Sequence, residues 1–176
     1  MAIRPYREFM IGGTPRDQLL TALETGGFKL GHRIEEVMKH DDFTTLPRPQ
    51  KVRTGRVLLK DCGIREWVSW FQVLKALAAK GATKLPVETP VHMRLQLRDQ
   101  KPGDLFFVLT DYILLPQGNG RIFRVEHREY NILPPKDPKG MTLHHDLKNN
   151  LSGLWLDTHG ADAVYGPELE IVCGLP

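Results

Sequence analysis

Cysteine is scarce in this chain: Cys62 and Cys173 are the only two in 176 residues. They lie far apart and neither belongs to a paired metal spacing, so a disulfide framework and a cysteine-built zinc ribbon are both excluded. A reduced, cytoplasmic protein is the expectation. Long apolar runs are also missing, since no window approaches the roughly 20 residues of a membrane span. The first eight residues carry charge where a signal peptide has its apolar core, so no membrane partner is expected. Charge of one sign is lacking too: 24 Lys and Arg against 21 Asp and Glu leave a formal excess of +3. That is too little to define a nucleic-acid binder, and only local clustering would argue for one.

Complete catalytic motifs are absent as well. There is no HExxH and no GxSxG elbow, and Gly12-Gly13-Thr14-Pro15 lacks the Lys-Ser/Thr of a phosphate loop and reads as a helix cap. Internal repeats and low-complexity tracts are not found.

What is present is the composition of a folded protein, 41% apolar and 26% charged, in a length that suits one domain. The pattern predicts a single α+β domain over 1–176: an N-terminal helical pair in 1–46, then a core in 47–176 where a mostly antiparallel sheet packs against one long helix. Thr14 as N-cap and Pro15 at the first helical position open the first helix, with Leu19, Leu20 and Leu23 as its stripe and Gly26-Gly27 as its stop. A second helix has Ile34, Val37 and Met38 on one face. As a helix-turn-helix this pair would read DNA, but Glu35 and Glu36 face phosphates poorly. Residues 52–59 read as a strand, which its charges suit to a sheet edge. Residues 64–80 read as the long helix, with Trp67 and Phe71 in the buried stripe. Residues 91–98 alternate apolar and polar without a break, the period of a half-buried strand. Turn chemistry at 99–104 leads to the apolar run 105–109, a strand covered on both faces. A second turn at 116–120 leads to a strand over 121–128. Segments 154–156 and 169–173 complete the sheet.

Two candidate sites follow. Arg48, Lys51, Arg53, Arg56 and Lys60 form the one sustained basic run. If the polar faces of 91–98 and 121–128 lie on one side, Arg94, Arg98, Arg124 and Arg128 stand together. The basic face Arg53, Arg56, Arg94, Arg98, Arg124 and Arg128 then predicts a non-enzymatic binding or regulatory protein that contacts a protein or nucleic-acid partner, without a cofactor. The alternative is a metal-dependent, hydrolase-like enzyme. Its ligands to a divalent ion such as zinc would come from His144, His145, Asp157 and His159, with Asp146 or Asp162 orienting a water. On an extended segment Asp157 and His159 point the same way.

The segments 93–104 (MRLQLRDQKPGD) and 153–158 (GLWLDT) resemble paired signatures of small bacterial hypothetical proteins of unassigned function. The resemblance covers the last half of the chain and implies no activity. It leaves out the N-terminal helices and the 134–150 loop that holds the His cluster.

Overall fold

The computed structural model describes residues 3–128 and 152–175. In chain order the elements are β1 Arg4–Ile11, α1 Arg16–Thr25, β2 Lys29–Leu30, α2 Ile34–Lys39, β3 Gln50–Leu58, a 3₁₀ turn Leu59–Cys62, β4 Val68–Ser69, α3 Trp70–Ala78, α4 Thr89–Gln96, β5 Leu105–Val108, β6 Ile113–Leu114, β7 Gly120–Arg128, β8 Gly153–Gly160, β9 Val164–Tyr165 and β10 Glu170–Gly174. One large sheet runs β1-β3-β10-β5-β7-β8-β2, with β6 added to β7, while β4 and β9 form a separate ribbon. Within the large sheet β10 pairs parallel with β5 and β2 parallel with β8. The other pairings are antiparallel. The architecture is therefore mixed α and β around a mostly antiparallel sheet, as the pattern predicts.

Strand alternation sends side chains to opposite faces, and each face of the sheet has its own core. Phe106, Val108, Phe123, Val125, Leu156 and Val172 join Leu19, Leu23, Ile34, Val37, Val91 and Met93 from α1, α2 and α4. Phe107, Ile122, Ile171 and Cys173 join Trp70, Val73 and Leu77 from α3. The run 105–109 is apolar throughout because β5 is covered on both sides.

Four expectations need correction. Residues 91–98 are not a strand: α4 spans Thr89–Gln96 with Pro90 in its first turn, a position where the missing N–H costs nothing. The apolar and polar residues alternate there because the helix is enclosed almost all round. His92 and Arg94 are buried along with Val91 and Met93. The helix over 64–80 is also shorter, beginning only at Trp70. Its N-cap is Ser69, whose side chain accepts from Gln72 in a capping box. The stripe that faces the core is therefore Trp70, Val73 and Leu77. Trp67 and Phe71 stay 70% and 76% exposed. The N-terminal segment is not simply a helical pair, because β1 precedes α1, and β2, between the helices, joins the far edge of the sheet. Finally, β3 is no edge strand: β1 and β10 flank it.

Among the described residues no helix is long and apolar enough to cross a membrane.

Candidate functional site

The six arginines of the expected basic face do not share a surface. Arg53 is exposed on β3. Arg56 lies between the Tyr6 and Phe106 rings, 5.3 and 4.9 Å from their centroids, and pairs with Asp104 and Glu170. Arg98 stacks on Phe28 at 4.8 Å. Arg94 is fully buried. Its Nη1 donates to Gln100 Oε1 at 2.6 Å and to the Glu126 carbonyl at 3.2 Å, and its Nη2 donates to the Leu97 carbonyl. Burial lowers its pKa to about 10, so it remains a cation at neutral pH. With neutral oxygens as its direct partners, Arg94 ties the end of α4 to β7 and faces no ligand.

Arg124 and Arg128 do meet, on the face of β7 that also carries Ile122 and Glu126. The register sets Arg124 opposite Asp157, Glu126 opposite Trp155 and Arg128 opposite Gly153. Because Gly153 offers no side chain, Arg128 leans back over the Trp155 ring at 4.0 Å. Its Nη2 reaches Asp157 Oδ2 at 3.1 Å, where Arg124 Nη2 already donates at 2.7 Å. Glu126 Oε2 accepts from Arg128 Nε at 2.9 Å and lies 3.7 Å from Arg124 Nε. Two guanidiniums thus face two carboxylates. The cluster is charge-matched from within, which removes the attraction for phosphate that an open arginine pair would have.

Two of the four metal-ligand candidates fall on this strand pair. Asp157 and His159 share one face of β8, as their spacing predicts. Asp157 is fully engaged: besides the two arginines on Oδ2, its Oδ1 accepts the Thr158 N–H at 2.8 Å. The His159 ring packs edge-on against Phe107 and Tyr165 at 5.7 and 5.8 Å. Burial, and then the neighbouring Arg124, hold its pKa below the ordinary imidazole value. Asp162 is exposed in the turn after β8. His144, His145 and Asp146 lie outside the described residues. Among the described residues no cluster of three or more His, Cys, Asp or Glu has the arrangement to hold a metal ion.

Glu88, at the N-cap of α4, and His92, one turn into it, form a second buried polar pair, with Glu88 Oε2 and His92 Nε2 3.2 Å apart. Both are occupied by backbone. The Leu46 N–H donates to Glu88 Oε1 at 2.9 Å, and the Gly12 N–H to His92 Nε2 at 3.2 Å. The pair fastens the Gly12-Gly13 turn and the segment before β3 onto α4. Gly12 has φ +80°, and a Cβ there would come 2.4 Å from the Arg48 carbonyl. The turn is thus committed to tight chain crossing, not to a ligand.

The remaining feature is one that the periodicity misassigns. Trp67 and Phe71, assigned to the core by their spacing, are the two most exposed large apolar side chains among the described residues. Val164, 59% exposed, lies on β9 opposite Ser69, two residues from each of them. Trp67 is not adrift, since its ring lies against Gly166, where a Cβ would meet it at 3.2 Å. Beside Phe71 a groove of about 320 Å³ runs along α3, lined by Leu74, Lys75, Ala78, Ala82, Lys84 and Leu109. The signal that would have found this face is Ser69-x-x-Gln72, which starts the helix late and turns Phe71 outward.

No protein-family model, curated protein or solved structure matches the chain. The resemblance of 93–104 and 153–158 therefore carries no family assignment.

Proposed function

We propose that this is a non-enzymatic binding protein that docks a protein partner on the exposed face of α3. One observation carries the proposal: Phe71 remains 76% exposed at the wall of an apolar groove, on a helix whose opposite face is filled by Trp70, Val73 and Leu77, and Trp67, just before β4, is 70% exposed. Scattered apolar residues are ordinary on protein surfaces, but an exposed aromatic anchor beside a concave apolar floor is the composition of an interface centre. Four of the six arginines are taken up within the fold: Arg56, Arg124 and Arg128 are matched by carboxylates, and Arg94 on α4 is buried. That favours a protein over a nucleic acid. A cytoplasmic setting is consistent with two buried cysteines that remain free thiols.

The test is isolation of the tagged full chain from its native cells, beside a Trp67→Ala/Phe71→Ala double variant. The expected result is one stoichiometric partner with the wild type and none with the variant, at unchanged melting temperature. A partner retained equally by both chains overturns the proposal.

A further inference from the structure

We infer that the occupant of the α3 groove is an acidic peptide segment with bulky apolar anchors, an inference that rests on the docking surface just proposed. The groove itself states the chemistry. Its floor is aliphatic, made by Leu74, Ala78, Ala82 and Leu109, and Phe71 stands at its wall. At about 320 Å³ it sits at the bottom of the range of roughly 300–1,000 Å³ for small-molecule clefts. It has room for a few apolar side chains and lacks the convergent polar groups that orient a cofactor.

The rim is cationic. Lys75, which is exposed, and Lys84 line the groove. Lys84 pairs with the exposed Asp111. Lys75 has no carboxylate partner among the described residues. Solvated lysines around an apolar floor attract carboxylates at the edge of an interface, where they set orientation and on-rate. A second copy of the chain would bring the same lysines against each other and is disfavoured by like charge. A single-stranded nucleic acid would stack on Trp67 and Phe71 but would leave the aliphatic floor unfilled. An amphipathic acidic segment satisfies both the floor and the rim, in the helix-in-groove manner.

The experiment selects random displayed peptides on the full chain, without counter-selection, and measures the dissociation constants of synthetic winners on that chain and on the Trp67→Ala/Phe71→Ala chain. The inference expects winners with net negative charge and at least one Leu, Phe, Trp or Met anchor. Their affinity should fall with added salt and drop about tenfold for Lys75→Glu, equal to about 1.4 kcal/mol. The Lys75 side chain is exposed, so this variant keeps its fold. Winners that need Trp67 and Phe71 but are neutral or basic, or that ignore Lys75→Glu, overturn the acidic assignment and leave the docking surface standing. Winners indifferent to Trp67 and Phe71 overturn both. A single-stranded oligonucleotide that outcompetes the winners, or a concentration-dependent dimer abolished by Phe71→Ala, overturns the inference in favour of those occupants.

Discussion

Ser69 and Gln72 bond to each other across the first turn of α3. The Ser69 N–H donates to Gln72 Oε1 at 2.9 Å and the Gln72 N–H donates to Ser69 Oγ at 3.4 Å. This reciprocal cap fixes where the helix begins and therefore which residues turn inward: Trp70, Val73 and Leu77 enter the core, and Phe71 does not.

Three substitutions read that phase. Ser69→Ala is expected to cost about 1 kcal/mol, the ordinary loss for an N-cap. Trp70→Ala is expected to cost about 3–5 kcal/mol as a core truncation. Phe71→Ala should stay within about 0.5 kcal/mol of wild type, as surface changes do. Urea unfolding of the three variants gives the comparison. A Phe71→Ala cost as large as that of Trp70→Ala would mean that Phe71 belongs to the core after all.

Sequence patterning captured those parts of the fold where each residue faces a single environment. The all-apolar run at β5, the split of β7 into Phe123 and Val125 against Arg124, Glu126 and Arg128, and the stripes Leu19/Leu23 and Ile34/Val37/Met38 are each legible because period and burial agree. The pattern misled where the two separate. In α4 enclosure from several sides buries His92 and Arg94, so an alternation that imitates a strand carries no information about faces. In β1 a register shift between Pro5 and Glu8 breaks the period, and mainly Phe9 and Ile11 point inward, so no strand is read there. Trp67, Trp70 and Phe71 are spaced so that either stripe looks apolar, and only the cap decides between them. For the candidate site, the meeting of Arg124 with Arg128 follows from strand alternation. Their capture by Asp157 depends on the β7–β8 register, which no local pattern specifies.

Arg94 is the one guanidinium among the described residues that is wholly buried, and its bonds to Leu97 and Glu126 carbonyls hold α4 to the sheet. Arg94→Met leaves those oxygens without this donor and is expected to cost about 3 kcal/mol. Arg94→Lys keeps the charge but not the planar fork, and should recover less than half of the loss. A methionine variant that unfolds at the same urea concentration as wild type would show that these bonds contribute nothing net.

Gly31 is fixed by Asp157. Its N–H donates to the Leu156 carbonyl at 2.9 Å, and a Cβ on it would come 1.7 Å from Asp157 Oδ1. Gly31→Ala must therefore push the carboxylate off the two arginines or move β2 away from β8. The expected cost is about 1–3 kcal/mol, in the range of overpacking. In the Asp157→Ala background the same Gly31→Ala change should lose most of its cost, leaving the contact with the backbone Cα of residue 157 at 3.1 Å. A double-mutant cycle with no coupling would refute the contact as its cause.

His159 should make stability depend on acid. Its pKa is held below the ordinary 6.5, first by burial and then by Arg124. The unfolded chain therefore takes up the proton at a higher pH than the folded one. Between the two values the unfolded state binds more protons, so stability is full above pH 6.5 and falls as pH drops through the folded pKa. His159→Phe puts a ring that does not titrate against Phe107 and Tyr165 and removes this contribution. Other groups titrate in the same range, so the informative quantity is the difference in unfolding free energy between the variant and wild type. That difference should be constant near about pH 8 and should move in favour of the variant toward about pH 5. A difference that stays flat across the range would mean that His159 takes up its proton equally well in the folded and unfolded chain, and that its packing against the two rings does not exclude the charge.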